Sequence, residues 1–168
     1  VAPEGIVVRE LVERGRFAHQ GFMGWRNQED EHAVARALAR VGLEELGAAE
    51  VAALSGGQRQ RAWLAMALAQ DTPVLFLDEP TSALDIGYQH SFMRLMKQLA
   101  GSKTLIAVIH DLSHVLRYAD YVVAMKNGTV RDAGAPPDVI TPALIEDLYG
   151  LAVRVVNVDG EPAIVPVG

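Results

Sequence analysis

Leu54-Ser55-Gly56-Gly57-Gln58, followed by Val74-Leu75-Phe76-Leu77-Asp78-Glu79-Pro80, is the stretch that decides the fold of this chain. The first piece reads as a glycine-containing loop opening a helix. Ser55 is placed to cap it, Gly56 and Gly57 allow close backbone approach, and an alanine-rich run from Gln58 to Gln70 continues it. A helix start presents unpaired N–H groups and the positive end of the dipole, so it can hold a phosphate. The second piece is an apolar run ending in two carboxylates, Asp78 and Glu79. It predicts a buried parallel strand that delivers acidic groups to the carboxyl edge of a sheet. An anion site and a paired carboxylate joined by one helix point to nucleotide chemistry.

Composition bounds the rest. The chain has 168 residues, half of them hydrophobic, enough for one domain with a real core. A net charge of −6 and a pI near 5.3 argue against a nucleic-acid-binding surface. With no cysteine there are no disulfides and no cysteine-ligated metals, which leaves the compartment open. No apolar run approaches the roughly 18 residues that span a bilayer, so direct membrane insertion is not expected. The phosphate-cradling pattern G-x-x-x-x-G-K-[ST] occurs nowhere. Gly101-Ser102-Lys103-Thr104 suggests it superficially, but Lys103 does not follow the glycine directly, and the segment reads as a helix end leading into a strand.

Two further motifs follow the carboxylates, Ser82-Ala83-Leu84-Asp85 and Val108-Ile109-His110-Asp111. Together the four resemble the ATP-binding cassette (ABC) ATPases, in the order and with the spacing of that family. Ser55 to Gln58 matches the signature motif, Phe76 to Pro80 the Walker B strand with its catalytic glutamate, Ser82 to Asp85 the D-loop, and His110 the switch histidine. The resemblance runs from about Ile6 to Tyr149. Three finer stretches look most like importers of iron–siderophore complexes and cobalamin: Val8 to Arg16, Gln58 to Trp63, and Leu148-Tyr149-Gly150. The family's P-loop, adenine-stacking aromatic and Q-loop have no match here, so the chain looks like the carboxyl-terminal part of a cassette ATPase.

The implied fold is α/β, a partial P-loop NTPase in which a helical subdomain precedes the carboxyl-terminal part of a RecA-like core. The expected division is a helical signature subdomain over 1–57, the Walker B, D-loop and switch-histidine region over 58–150, and a β-hairpin tail over 151–168. Helices are predicted from Ile6 to Arg14, Asn27 to Val41, Asp85 to Leu99, Asp111 to Tyr118 and Pro142 to Tyr149, with a short helix and connector from Leu43 to Leu54. Strands are predicted from Thr72 to Asp78, Thr104 to Ile109 and Tyr121 to Met125, the last returning through an Asn127-Gly128 turn. Val153 to Val158 and Ala163 to Val167 form the second hairpin. Phe17, Phe22, Met23 and Trp25 read either as a flap over the helical core or as a surface for a membrane partner's coupling helix.

Each candidate site residue has a plain reading beside the functional one. Glu79 suits a general base held rigidly at a strand end, and Asp78 suits Mg²⁺ through water, although a lone Asp-Glu pair is usually a solvated strand end. His110, by the resemblance, hydrogen-bonds the γ-phosphate and orients Glu79. Taken alone, a histidine after a strand is more often structural. His110 and His114 share an i, i+4 spacing that could bind zinc, but the intervening Asp-Leu-Ser lacks the glutamate of a metalloprotease. Ser55, Gly56, Gly57 and Gln58 would bind the γ-phosphate of ATP held by a second copy, in the head-to-tail dimer that the family implies. Asp85 would line that dimer contact and cap its own helix. Arg59 and Arg61 would serve phosphate, the dimer, or simply a solvated helix face.

The resemblance thus implies an ATP- and Mg²⁺-dependent subunit of an importer for iron–siderophore complexes, placed at the cytoplasmic face of the membrane with a transmembrane permease as partner. Without a P-loop lysine the chain alone is expected to bind ATP weakly and not to hydrolyse it. A soluble cassette protein of translation or DNA repair is the alternative, as is a non-catalytic interaction fragment. Open sheet edges are expected to favour self-association.

Overall fold

The computed structural model describes residues 5–19 and 27–167, and the chain divides into two compact units, Val1–Ala107 and Val108–Gly168. Phe22, Met23 and Trp25 lie outside the described residues.

The first unit begins with helix α1, Val8–Glu13, which tightens into a 3₁₀ segment, Arg14–His19. Helix α2, Gln28–Val41, follows. Its capping box is closed by Asn27, which accepts from the Asp30 N–H at 2.8 Å, while Asp30 accepts from the Asn27 N–H. Two short 3₁₀ turns, Glu44–Leu46 and Val51–Ala53, take the place of the single short helix expected between Leu43 and Leu54. Helix α3, Gly56–Ala69, packs against α1 and α2 through Val8, Leu11, Val12, Val34, Leu38, Leu64 and Leu68, all buried. Burying each of these side chains stabilises by roughly 1.5–3 kcal/mol before entropy is counted. Arg16 is buried too. It donates to the Asp30 carboxylate at 2.8 Å and to the Ala69 carbonyl at 2.8 Å, so one guanidinium ties the 3₁₀ segment, α2 and the end of α3. That bond holds the Asp30 carboxyl below the usual carboxylate range.

Strand β1, Val74–Asp78, helix α4, Ile86–Ala100, and strand β2, Thr104–Val108, complete a β-α-β run in which β1 and β2 share a sheet. The Thr104 N–H donates to the Pro73 carbonyl at 2.9 Å, so the two strands start side by side. Lys103 donates to Asp71 and to the Thr72 carbonyl, which fastens the start of β2 and lowers the Asp71 pKa. That lysine therefore serves the fold, as the misplaced glycine before it suggests. α4 buries Phe92, Met93, Met96 and Leu99. One expectation fails in this unit. The strands are not buried on both faces: Leu75 is covered, but Phe76 is 73 % exposed, with Val74, Ile106 and Val108 exposed on the same alternation. Successive side chains of a strand point to opposite faces, so the face that carries Phe76 and Ile106 lies in water while Leu75 on the other is covered.

The second unit holds α5, Leu112–Tyr118, the hairpin β3–β4, Val122–Lys126 and Thr129–Gly134, helices α6, Pro136–Val139, and α7, Pro142–Tyr149, and the hairpin β5–β6, Val153–Val158 and Glu161–Pro166. Asn127 and Gly128 both take positive φ, 53° and 75°, as a type I′ turn requires. Asp159 and Gly160 repeat the device. The core gathers Val115, Ala124, Val139, Ile140, Ile145 and Val153. α7 is pinned to β3–β4 by Asp147, which accepts from Lys126 at 3.1 Å and from Arg131 at 3.0 Å.

Candidate functional site

Ser55 caps α3 in full. Its hydroxyl accepts from the Gln58 N–H at 3.3 Å, and the Gln58 side-chain oxygen accepts from the Ser55 N–H at 3.0 Å. This reciprocal box leaves the Gly56 and Gly57 N–H groups as the helix-start donors without intrahelical acceptors. The glycines differ in surroundings. A Cβ at Gly56 would meet nothing within 4 Å, so its backbone lies open. A Cβ at Gly57 would lie 2.5 Å from the Tyr88 ring, so its glycine identity answers to a side chain of α4.

Neither arginine of this helix meets solvent alone. Arg59 donates to the carbonyls of Val51, Ala52 and Leu54, holding the turn that leads into Ser55. Arg61 donates to the Val41 carbonyl and to the Ser91 hydroxyl at 2.6 Å, joining the end of α2 and the middle of α3 to α4. Arg61 is half-buried in these bonds, whereas Arg59 stays exposed, on a solvated face, while it braces the turn.

At the end of β1, Asp78 and Glu79 are both exposed while Pro80 is buried. Glu79 sits in the left-handed region with φ 43°, uncommon for a residue bearing a side chain. Its carbonyl accepts from the Ser82 N–H at 3.2 Å and the Ser82 hydroxyl at 3.1 Å, so the turn over-determines this backbone. Asp85 caps α4 by accepting from the Tyr88 N–H at 3.1 Å. Through Tyr88, then, the start of α4 meets the start of α3 within one unit.

His110 belongs to the second unit, exposed just before Asp111, whose side chain caps α5 through the N–H groups of Ser113 and His114. His114 is buried in α5 with its ring centroid 6.0 Å from that of Tyr118. Among the described residues no group of three histidines or carboxylates is placed to hold a metal. Mg²⁺ needs no such group, because this cation takes one or two carboxylates and completes its shell with water and substrate phosphates.

The family model described as ABC transporter matches residues 5–82, from α1 through Ser55–Gln58 to Asp78 and Glu79. Residues 5–82 are thus the segment that this chain shares with the ABC transporter family. It is 46 % identical to the ferric enterobactin transport ATP-binding protein FepC of Escherichia coli (strain K12), over 99 % of this chain and 63 % of that protein. It is 43 % identical to the iron(3+)-hydroxamate import ATP-binding protein FhuC of Bacillus subtilis (strain 168), over 93 % of this chain and 59 % of that one. The cobalamin import ATP-binding protein BtuD of Halobacterium salinarum is 44 % identical over 88 % of the chain and 37 % of its own length. The chain therefore spans at most 63 % of these three relatives. Among solved structures, an inward-facing ABC transporter described as metal-chelate type superposes over the whole chain with a TM-score of 0.91 at 26 % identity, covering 70 % of that chain.

The matched segment spans Ser55 to Gln58 and Asp78-Glu79, while Asp85 and His110 lie beyond it. Sequence reasoning missed Tyr88 and Gln89. The one available signal was the position of Tyr88, three residues after a capping aspartate, on the first turn of α4.

Proposed function

We infer that this chain supplies the signature, Walker B, D-loop and switch-histidine parts of the ATP-binding and hydrolysing subunit of an ABC importer that serves iron–siderophore complexes and energises a membrane permease. The observation that carries the reading is the meeting of the Ser55–Gln58 and Ser82–Asp85 segments through Tyr88, in the unit whose first strand ends in Asp78 and Glu79. The relatives supply the cargo class, since FepC and FhuC are named for iron-chelate transport.

The residues take the following roles in this reading. Glu79 accepts a proton from the water that attacks the γ-phosphate, and the turn that holds its backbone keeps the carboxylate aimed. Asp78 holds Mg²⁺, which would neutralise charge on the phosphates when bound. His110 hydrogen-bonds the γ-phosphate, a role supported by its place in the motif order. Ser55, through its hydroxyl, and the N–H groups of Gly56 and Gly57 face the γ-phosphate of a nucleotide held by a second copy, with Gln58 fixing the loop from behind. Asp85 lines the contact between the two copies. The permease meets the subunit from the membrane side, at the cytoplasmic face. Among the described residues no helix is long and apolar enough to cross a membrane.

The phosphate-cradling pattern is absent from the sequence, so the 168-residue chain alone binds ATP weakly and turns none over. In the assembled subunit and permease, Glu79→Gln should lower ATP turnover by roughly 10²- to 10⁴-fold while nucleotide affinity is kept. Turnover unchanged in Glu79→Gln would remove the assignment.

A further inference from the structure

The turn between β1 and α4 is held by a ladder of hydrogen bonds that ends on Gln89. The Glu79 carbonyl takes both donors of Ser82, and the Thr81 carbonyl accepts from the Leu84 N–H at 3.1 Å. From the first turn of α4, the Gln89 carboxamide nitrogen donates to the Thr81 carbonyl at 3.2 Å and to the Leu84 carbonyl at 2.9 Å. Two carbonyl oxygens converging on one group can be satisfied only by a donor, and a primary amide carries two N–H bonds on one nitrogen. Thr81 and Leu84 are themselves buried, so water is poorly placed to replace a lost donor. The preceding residue reaches the other way. Tyr88 sets its ring against Gly57 and its N–H on the Asp85 carboxylate.

We propose that Gln89 is a positioning residue that sets the shape of the Ser82–Asp85 loop, and that the adjoining Tyr88 sets its spacing from the Ser55–Gln58 loop. The two loops then present themselves to nucleotide as one preorganised surface. For the nucleotide this rests on the ATPase reading above; for the loop it rests on the geometry.

Amide hydrogen exchange on the 168-residue chain reads the positioning with no nucleotide present. Gln89→Met keeps the length of the side chain and removes both donors, whereas Gln89→Lys restores a donor of similar reach. In Gln89→Met, exchange at Ser82, Leu84 and Tyr88 should speed up by roughly tenfold while the amides of α2 and β4 keep their rates. Gln89→Lys should return the loop to within about threefold of the parent chain. Unchanged loop exchange in Gln89→Met overturns the proposal. So does acceleration spread evenly over all elements, or a lysine variant as fast as the methionine one. Failure here is distinct from failure of the ATPase reading, which shows instead as turnover insensitive to Glu79→Gln.

Discussion

At the scale of single residues, Glu79 carries a conflict between stability and chemistry. Its φ of 43° is a conformation that costs a side-chain-bearing residue on the order of 1–3 kcal/mol. Glu79→Gly should therefore raise the unfolding free energy by about 1 kcal/mol, and Glu79→Gln should leave it unchanged. Equal stability of the glycine variant and the parent in urea titrations would show that the backbone is relaxed there. Gly57 poses a steric question instead. Gly57→Ala drives a methyl into the Tyr88 ring and should destabilise by roughly 1–3 kcal/mol, and Tyr88→Ala in the same chain should recover most of that. Strict additivity of the two changes would mean that the ring moves aside freely. A motif match displays Gly57 only as part of a loop. The ring it accommodates sits 31 positions further on and is visible only once the helices are packed.

At the scale of elements, the caps at Ser55 and Asp85 were legible in the sequence, and each accepts from a backbone N–H at the start of its helix. Asn27 and Asp111, expected as the first residues of their helices, cap them instead. Ser55→Ala should cost about 1 kcal/mol through the lost capping box, measured by chemical denaturation. A change within error would imply that packing alone holds the start of α3. The turns were equally legible, because Asn127-Gly128 demands a left-handed pair wherever it occurs. Arginine roles were not. Arg59 and Arg61 sit in a polar-looking run, yet their partners are backbone carbonyls and a hydroxyl supplied by other segments. Strand burial was misread for a related reason. An apolar run such as Val74 to Leu77 states what the residues could bury, while the number of covering layers depends on what packs on each face.

At the scale of the whole molecule, three aspartates add to the acid sensitivity of stability, the buried Asp30 most. Asp30, Asp71 and Asp147 all have lowered pKa values, through hydrogen bonds from Arg16, Lys103 and Arg131 respectively. A carboxyl whose folded pKa is depressed adds stability that is complete above its unfolded value, near 3.9, and is lost as pH falls through the folded one. Thermal stability should thus be level above about pH 5 and fall steeply below about pH 4, and Asp30→Asn should flatten part of that fall. An identical acid profile in Asp30→Asn would exclude the pair from this role. The exposed apolar row of Val74, Phe76, Ile106 and Val108 should make the chain associate as concentration rises, and Phe76→Glu should reduce that association. We propose that the chain supplies the signature and Walker B parts of an ABC ATPase and that nucleotide binding also needs a phosphate-loop segment, a pattern these 168 residues do not contain. Calorimetric titration with Mg-ATP tests it most directly, on the 168-residue chain and on the same chain preceded by the phosphate-loop segment of a relative such as FepC. Binding is expected only when that segment is present. Tight binding by the 168-residue chain alone would contradict the proposal.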